Sequence, residues 1–514
     1  MQAPFRQVLV NPLTIVGIGC MLALVIFHES ASLYYYLTIA QLIYVPVVVQ
    51  QIVKLERWQW VAILLGQLAV TSLYFVDNEA FALVGSSVYF ISTLAICWSG
   101  LQRFLMRGFT NTAEVMIDIG LLYMAMGGAW FFAHINGIST GFSPIITWLT
   151  AIHFHYSAFL LCISVGLLGR VWTSRYFTIC AAIIAAGPML VAVGITFSHI
   201  IEIASVSLYV IAIFSLTFYA FRIRLERVTS SFVRIAFLTL CFTIIWSFLY
   251  AYSNLTGTSF VDIPDMLAFH GLLNCIVFGG AMTIAWSIYV PRSEHRPYTF
   301  PISQIRTRVR GKFEPHHALV DDMSILIDKK KLAFRIVDFY ENTLQYKLTA
   351  SVKWSIWFKP FAFVYQFISR KMEQLNLPLS SKPIIMEGTI TKINEEVDGR
   401  LNPRVWQRQA NGQTVFSAIY AIHRDHQRAY MNIALPLPKS AMHGVLALEV
   451  KDDKLYITSD ANGDAGTYFS AGRYTFKLPL HEYFIIWEEA GELRATHKMT
   501  LFGLKFLHID YWIK

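Results

Sequence analysis

Arg170-Val171-Trp172-Thr173-Ser174-Arg175 is a short basic break between two long apolar runs. Pro144 to Gly169 before it and Tyr176 to Ile201 after it contain no Lys, Arg, Asp or Glu. Working outward, Lys and Arg recur only on alternate breaks: Lys54 with Arg57, Arg103 with Arg107, Arg222 and Arg224 with Arg227, and Arg292 with Arg296. The intervening breaks carry none: His28-Glu29, Asp77 to Glu79, His134 to Ser143, Ser198 to Glu202, and Asn254 to Asp265. Basic residues are retained on the cytoplasmic side of a bilayer. A hydrocarbon core of about 30 Å needs roughly 20 apolar residues per helix. The pattern predicts five helical hairpins, about ten transmembrane helices, and both termini cytoplasmic. Only Tyr176 to Phe221 lacks a strong turn signal between its two helices, and its basic flanks still require an even number of crossings. The first span has one Arg before it and no small-x-small site before His28, so it reads as a retained helix and not a cleaved signal.

The composition, 55% hydrophobic with a mean hydropathy of +0.48, averages two unlike halves. Residues 1–293 read as a polytopic helical domain of the cytoplasmic membrane, 294–330 as a basic juxtamembrane linker, and 331–514 as a cytoplasmic β-rich domain. All six Cys fall in predicted spans, which excludes a disulfide-stapled soluble half and fits a reducing compartment. The net charge of +9 arises mostly beyond the spans, so anionic lipid headgroups are the expected partner besides the bilayer itself. No helix-turn-helix, finger or ribonucleoprotein motif is present, and no nucleic acid is expected. The linker Pro291 to Lys312, with Arg296, Arg306, Arg308, Arg310 and Lys312, reads as a basic flank against the membrane.

From about Leu332 the period becomes two, as in Gln345 to Lys353, Leu455 to Thr458 and Tyr474 to Leu478. Turn signals recur at Asp398-Gly399, Asn411-Gly412, Asn462-Gly463-Asp464 and Ala490-Gly491. Short alternating strands with Gly turns predict an antiparallel sheet curled into a barrel or sandwich, within an α+β domain that is mostly β. One stretch is helical: Phe361, Val364, Tyr365, Ile368 and Met372 recur at helical spacing before Asn376 and Pro378. Its neighbours Trp354, Trp357 and Phe358, with Lys353, Lys359, Arg370 and Lys371, admit a membrane-surface element. The preferred expectation is a helix packed on or into the sheet.

Histidine within hydrocarbon is expensive and signals function by default. His153 lies nine residues past Pro144, about 13 Å into the bilayer. His155 follows two residues later, about 200° around a regular helix, so the two imidazoles face different neighbours. In the last span His270 and Asn274 share a face, beside Gly271. His134 and His199 with Glu202 lie at the same rim. Imidazole is a common ligand of zinc, copper and haem iron. His153, His155, His270, Asn274 and Asp118 are therefore the candidate ligand or proton-relay residues, with His153, His155 and His270 as metal ligands and a metal or haem as the cofactor class. Their spacing matches no zinc motif, and interhelix hydrogen bonding explains them equally well. Glu114 and Asp118, an i, i+4 pair, are best read as ion-paired to Arg103, Arg107 or Arg234. In the soluble half, His316-His317 with Asp321-Asp322 are possible ligands. His423-Arg424-Asp425-His426 is more simply a polar hairpin turn. No phosphate loop or nucleophile elbow occurs.

Ala151-Ile152-His153-Phe154-His155-Tyr156, His270-Gly271-Leu272-Leu273-Asn274 and Tyr430-Met431-Asn432-Ile433-Ala434-Leu435-Pro436-Leu437-Pro438 resemble the YndJ-like multi-pass membrane proteins of bacilli. The resemblance covers the whole chain. It implies a bacterial cytoplasmic-membrane protein and brings no reaction with it. Three functions remain: an intramembrane His/Asn site for a metal, haem or small ligand; a proton-coupled transporter using the same histidines; and a membrane anchor for a lipid-binding β domain.

Overall fold

The computed structural model describes residues 2–28, 35–258, 260–293, 298–307, 314–372 and 376–514. Glu29, Arg296, Arg308, Arg310 and Lys312 lie outside these residues. The chain divides into two compact units, one of residues 1–104 and 111–295, the other of 105–110 and 296–514.

The first unit is helical. Its apolar helices are α1 (Pro12–Phe27), α2 (Tyr35–Ile52), α3 (Arg57–Ser72), α4 (Glu79–Leu105), α5 (Thr112–Ile135), α6 (Pro144–Val171), α7 (Arg175–Phe197), α8 (His199–Arg222), α9 (Arg227–Thr256) and α10 (Ile263–Ile288). Eight of these are long and apolar enough to cross a membrane. The expectation of about ten is corrected at α1 and α3. Each has 16 residues, about 24 Å of helix, short of a 30 Å hydrocarbon core. The pair Tyr176 to Phe221 resolves into α7 and α8, which turn at the single residue Ser198.

α6 is the central helix, with 89% of its apolar window buried. Two helices carry proline inside hydrophobic runs, and each has the freed carbonyl filled from a neighbour. Pro188 in α7 cannot bond the Ile184 carbonyl, which accepts from the Tyr209 hydroxyl of α8 at 3.2 Å. Pro46 in α2 frees the Leu42 carbonyl, which accepts from the Gln67 amide of α3 at 2.7 Å. The same amide donates to the Leu13 carbonyl at 2.8 Å. Gly17 makes this approach possible, because a Cβ there would overlap the Leu42 oxygen.

The second unit is built on thirteen antiparallel strands: β1 (Glu314–His316), β2 (Leu348–Trp354), β3 (Ile384–Lys392), β4 (Leu401–Ala410), β5 (Gln413–Arg424), β6 (Ala429–Leu437), β7 (Ser440–Lys451), β8 (Lys454–Thr458), β9 (Gly466–Ala471), β10 (Tyr474–Lys477), β11 (Leu480–Glu489), β12 (Glu492–Leu501) and β13 (Leu504–Ile513). Ten of them close a ring in the order β7-β6-β5-β4-β3-β2-β13-β12-β11-β8, because β8 pairs with both β11 and β7. The expected curled sheet is thus a closed barrel without a free edge in the ring. Asn411-Gly412 and Ala490-Gly491 both take positive φ and form two-residue hairpins. Period two places Met431, Ile433 and Leu435 inward, while Tyr430, Asn432 and Ala434 face out.

Residues 298–307 cross the outside of this barrel. Phe300 packs with Tyr430, Val445, Ala447, Ala465 and Tyr468, and the Pro301 carbonyl accepts from the Asn432 amide at 2.9 Å. This part of the segment read as a basic juxtamembrane linker packs on the barrel as a strap, anchored by Ser303 on the buried Asp398–Arg400 pair. Helix α11 (Phe334–Glu341) packs on the barrel. Helix α12 (Lys359–Met372) covers the stretch read as helical, but with the opposite face inward. Ala362 and Ser369 are buried, and Gln366 donates to the Leu377 carbonyl at 2.9 Å. Phe361, Phe363, Val364 and Phe367 are exposed. The side chains of Ile368, Arg370, Lys371 and Met372 lie outside the described residues. The packed-helix expectation is reversed because the inward stripe is small and polar, so the large apolar groups have nowhere in the fold to go.

Candidate functional site

In the helical unit, α6 leaves regular geometry where its histidines lie. Phe154–Leu160 is a π-helical turn, as are Ala40–Tyr44 of α2 and Met266–Gly271 and Leu273–Phe278 of α10. Such turns are rare and occur often at functional sites. His153 and His155 diverge, as their spacing requires. His155 is buried and bonded on both nitrogens, to the Tyr89 hydroxyl of α4 at 2.6 Å and the Ala151 carbonyl at 2.8 Å. Its Nε2 therefore accepts from Tyr89 while its Nδ1 donates.

His153 is an exposed residue of this otherwise buried helix, and its Nδ1 donates to the Leu149 carbonyl at 2.7 Å. Its ring lies 6.4 Å from that of His270. His270 Nδ1 donates to the Thr243 carbonyl at 3.1 Å, and its Nε2 accepts from the Asn274 amide at 3.1 Å. Asn274 in turn accepts from the Thr243 hydroxyl at 2.8 Å. His153, His270 and Asn274 thus come together, and His155 faces the other way. Among the described residues, no three His, Cys, Asp or Glu side chains converge as metal ligands. His134 and His199 sit at the rim, His199 beside the buried Glu202 at 3.1 Å.

Asp118 stands apart from the histidines in an ion cluster. Arg103 bonds Asp118 and Glu114, each at 2.8 Å, and Arg170 bonds Glu114 at 2.6 and 3.0 Å. The cluster ties α4, α5 and α6 together. Arg103 was expected from the sequence. Arg170 was legible only as a topology marker, because pairing across 56 residues leaves no local spacing. Buried neutral groups were missed altogether: Tyr89, Gln67, and Gln41, whose amide is buried near Tyr89 without a well-formed hydrogen bond. No charge marks such residues in an apolar run.

In the barrel unit the soluble candidates are structural. Asp321 is shared by His316, at 3.0 Å, and the Arg404 guanidinium, so a cation already occupies its carboxylate. Asp425 accepts from the backbone of Gln427 and Arg428 and closes the β5–β6 turn, which is the polar hairpin read from the sequence. His423 is buried and bonds Asp464 at 3.3 Å.

The barrel interior holds a different arrangement, which sequence reading did not find. A cavity of about 150 Å³ is lined mainly by apolar residues of the ring, including Met431, Leu446, Phe484 and Ile509. Six polar residues line it: Tyr340, Arg408, Tyr420, Glu482, His497 and Tyr511. The Arg408 guanidinium lies between the rings of Trp406 and Phe416, at 4.4 and 4.3 Å. Its Nε has no hydrogen-bond partner, nor has the Trp406 indole Nε1. The guanidinium interacts with the Tyr511 hydroxyl, and Glu482, the carboxylate lining the same cavity, is within ion-pair distance of His497 and not of Arg408. Glu482 lies 3.3 Å from His497, whose other face stacks on Phe484. Burial lowers the His497 pKa despite Glu482, with Arg408 adding to the depression. Burial raises Tyr420 to about 12, against the pull of Arg408. Five of the ten ring strands contribute one residue each and helix α11 contributes Tyr340, and only ring closure brings them face to face.

A multi-pass membrane unit joined to a closed antiparallel barrel defines the class. Residues 35–278 match the YndJ-like protein family. The chain is 35% identical over 431 residues to the Bacillus subtilis (strain 168) protein named "Uncharacterized membrane protein YndJ", covering 78% of each chain. It therefore belongs to the YndJ-like family. No solved structure matches it.

Proposed function

We propose that this membrane protein carries, in its barrel, a binding site for a small amphiphile with an apolar body and an acidic head. One observation carries the reading: a buried guanidinium with no carboxylate at ion-pair distance among the described residues faces a mainly apolar cavity. Burying such a charge is costly unless a partner arrives. A cavity of this volume can hold a benzene-sized group, and the guanidinium fork matches a carboxylate. This favours the anchor-and-binder role over metal chemistry. The alternate basic breaks support a cytoplasmic-membrane location with both termini, and hence the barrel, in the cytoplasm.

Titration of the full chain in lipid nanodiscs with benzoate tests the site, with benzyl alcohol as the uncharged control. One benzoate per chain is expected. Arg408→Met should weaken it about 10- to 100-fold, the worth of a charged hydrogen bond. Ala495→Phe, which fills the cavity, should remove it. Equal uptake by the wild type and Ala495→Phe would mean that benzoate only partitions into lipid, and the reading fails.

A second reading rests on the His153–His270 pair beside Asn274, set among π-helical turns. It is a site for a small polar ligand or a proton, with a metal or haem only if Asn274 gives up His270. Stoichiometric metal or a visible absorption band in the purified chain would support the cofactor form; a colourless, metal-free and stable preparation would remove it.

A further inference from the structure

We infer that α12 and the β12–β13 hairpin tip form an interfacial anchor that inserts the barrel unit into the surface of an anionic bilayer. In α12 the apolar residues are on the wrong side for a soluble domain. Phe361 is 64% exposed, Val364 60% and Phe367 59%, as is Ile356 at 91% in the turn just before the helix, while the stripe facing the protein is Ala362, Gln366 and Ser369. An exposed patch of this kind marks an interaction surface.

A second element continues the patch. Phe502 and Gly503 form the β12–β13 turn, with φ of 50° and 78°. A bulky residue in the left-handed region is a conformational outlier. Here it holds an aromatic ring, 66% exposed, at the tip, next to Leu504 at 61%. The two elements are joined: the Trp357 indole and the Ser355 hydroxyl both donate to the Lys505 carbonyl, at 3.0 and 2.8 Å, and Phe358 packs on Phe506 at 4.5 Å.

The occupant follows from chemistry and connectivity. Exposed Lys359 and Lys505 flank the aromatic face, the pattern of an interfacial helix on anionic lipid. Phe502 also packs edge-on against Phe109 at 5.6 Å. Phe109 belongs to the same unit, yet it lies only four residues after the end of the membrane-crossing α4 and three before the start of α5. The hairpin tip is thereby tethered within a few residues of hydrocarbon. A water-facing role would leave these rings exposed at continual cost, and a second copy would not require the lysine rim.

The full chain carrying a photo-crosslinking phenylalanine analogue at Phe367 or Phe502, in phosphatidylcholine–phosphatidylglycerol vesicles, tests the inference. Lipid adducts are expected at both positions and not at Asn411, in the exposed β4–β5 turn. Lys359→Glu with Lys505→Glu should lower the adduct yield by up to about fivefold per charge, and high salt should do the same. Water-quenched label at both positions, or crosslinks to a second copy in place of lipid, would overturn it. Because both positions are exposed, the label itself should leave the fold intact.

Discussion

The bundle interior and the barrel cavity treat their charged groups differently. In the helical unit the imidazoles and carboxylates are matched: His155 to Tyr89 and Ala151, His270 to Thr243 and Asn274, Glu114 to two arginines, and an unmatched group is a neutral amide, Gln41. In the barrel, Arg408 and Trp406 keep donors without acceptors beside a cavity. A matched polar group in low dielectric contributes to structure, because removing one partner leaves the other orphaned. An unmatched one costs stability and is retained where a ligand supplies the match. The difference locates the expected binding in the barrel and the expected stability in the bundle.

The sharpest break of this comparison is Glu114→Ala. It would leave Arg170 and one branch of Arg103 without their carboxylate among α4, α5 and α6. Losing one partner of a buried ion cluster costs about 3–5 kcal/mol. Thermal unfolding of the detergent-purified variant should show a large drop or no folded protein. A near-native midpoint would mean the cluster is solvated and the bundle's matching is not structural.

Arg408→Met should behave with the opposite sign. Replacing an unpaired buried charge with an apolar group of similar length is expected to be neutral or to stabilise by about 1–3 kcal/mol, while binding is lost. A strong destabilisation would show that Arg408 is a structural residue like Glu114, and the contrast would disappear.

The pH response sharpens it further. His443 of β7 is fully buried, its Nε2 near the Ser470 hydroxyl at 3.1 Å and its Nδ1 unpartnered. Burial lowers its pKa from 6.5 to about 3, with Arg400 and Arg306 adding to the shift. The unfolded chain therefore binds a proton that the folded one refuses. Stability contributed by the neutral ring is full above pH 6.5 and is lost as the pH falls towards about 3. The unfolding midpoint of the barrel should fall across that window, and fall less in His443→Gln.

What the sequence revealed and concealed follows the range of the interactions. Alternate basic breaks marked every second helix boundary, and period two marked several of the strands, because both are local. The counts failed at α1, where apolar composition was present but length was not, and at α3, which is as short and carries Arg57, Gln59 and Gln67. Ring closure through β8, a strand of five residues pairing on both edges, left no local signal. Phe502-Gly503 and Asp452-Asp453 adopt the same left-handed turns as Asn411-Gly412, but without the asparagine that advertises one. The direction of α12 was hidden for a different reason. Its apolar spacing was read correctly, and the assumption that apolar means inward fails where the fold is bathed by lipid. The histidines were visible, but their tautomers and partners depend on Tyr89, Thr243 and Asn274, of which only the last shares a local spacing.

The smallest expected effect is at Tyr209→Phe. The hydroxyl fills the Ile184 carbonyl that Pro188 leaves open, and the ring packs where Gly187 has no Cβ. Removing only the oxygen keeps the packing and leaves the Ile184 carbonyl with only the long Cys162 thiol contact at 4.0 Å. Interhelix hydrogen bonds in membranes average about 0.6 kcal/mol, because the unfolded helices also find partners. The change should lower stability by about that amount in the wild type. It should do nothing once Pro188→Ala restores the backbone bond to Ile184, and a double-mutant cycle reads the difference directly. Equal losses in both backgrounds would mean that the hydroxyl acts elsewhere and that α7 tolerates its proline without help from α8.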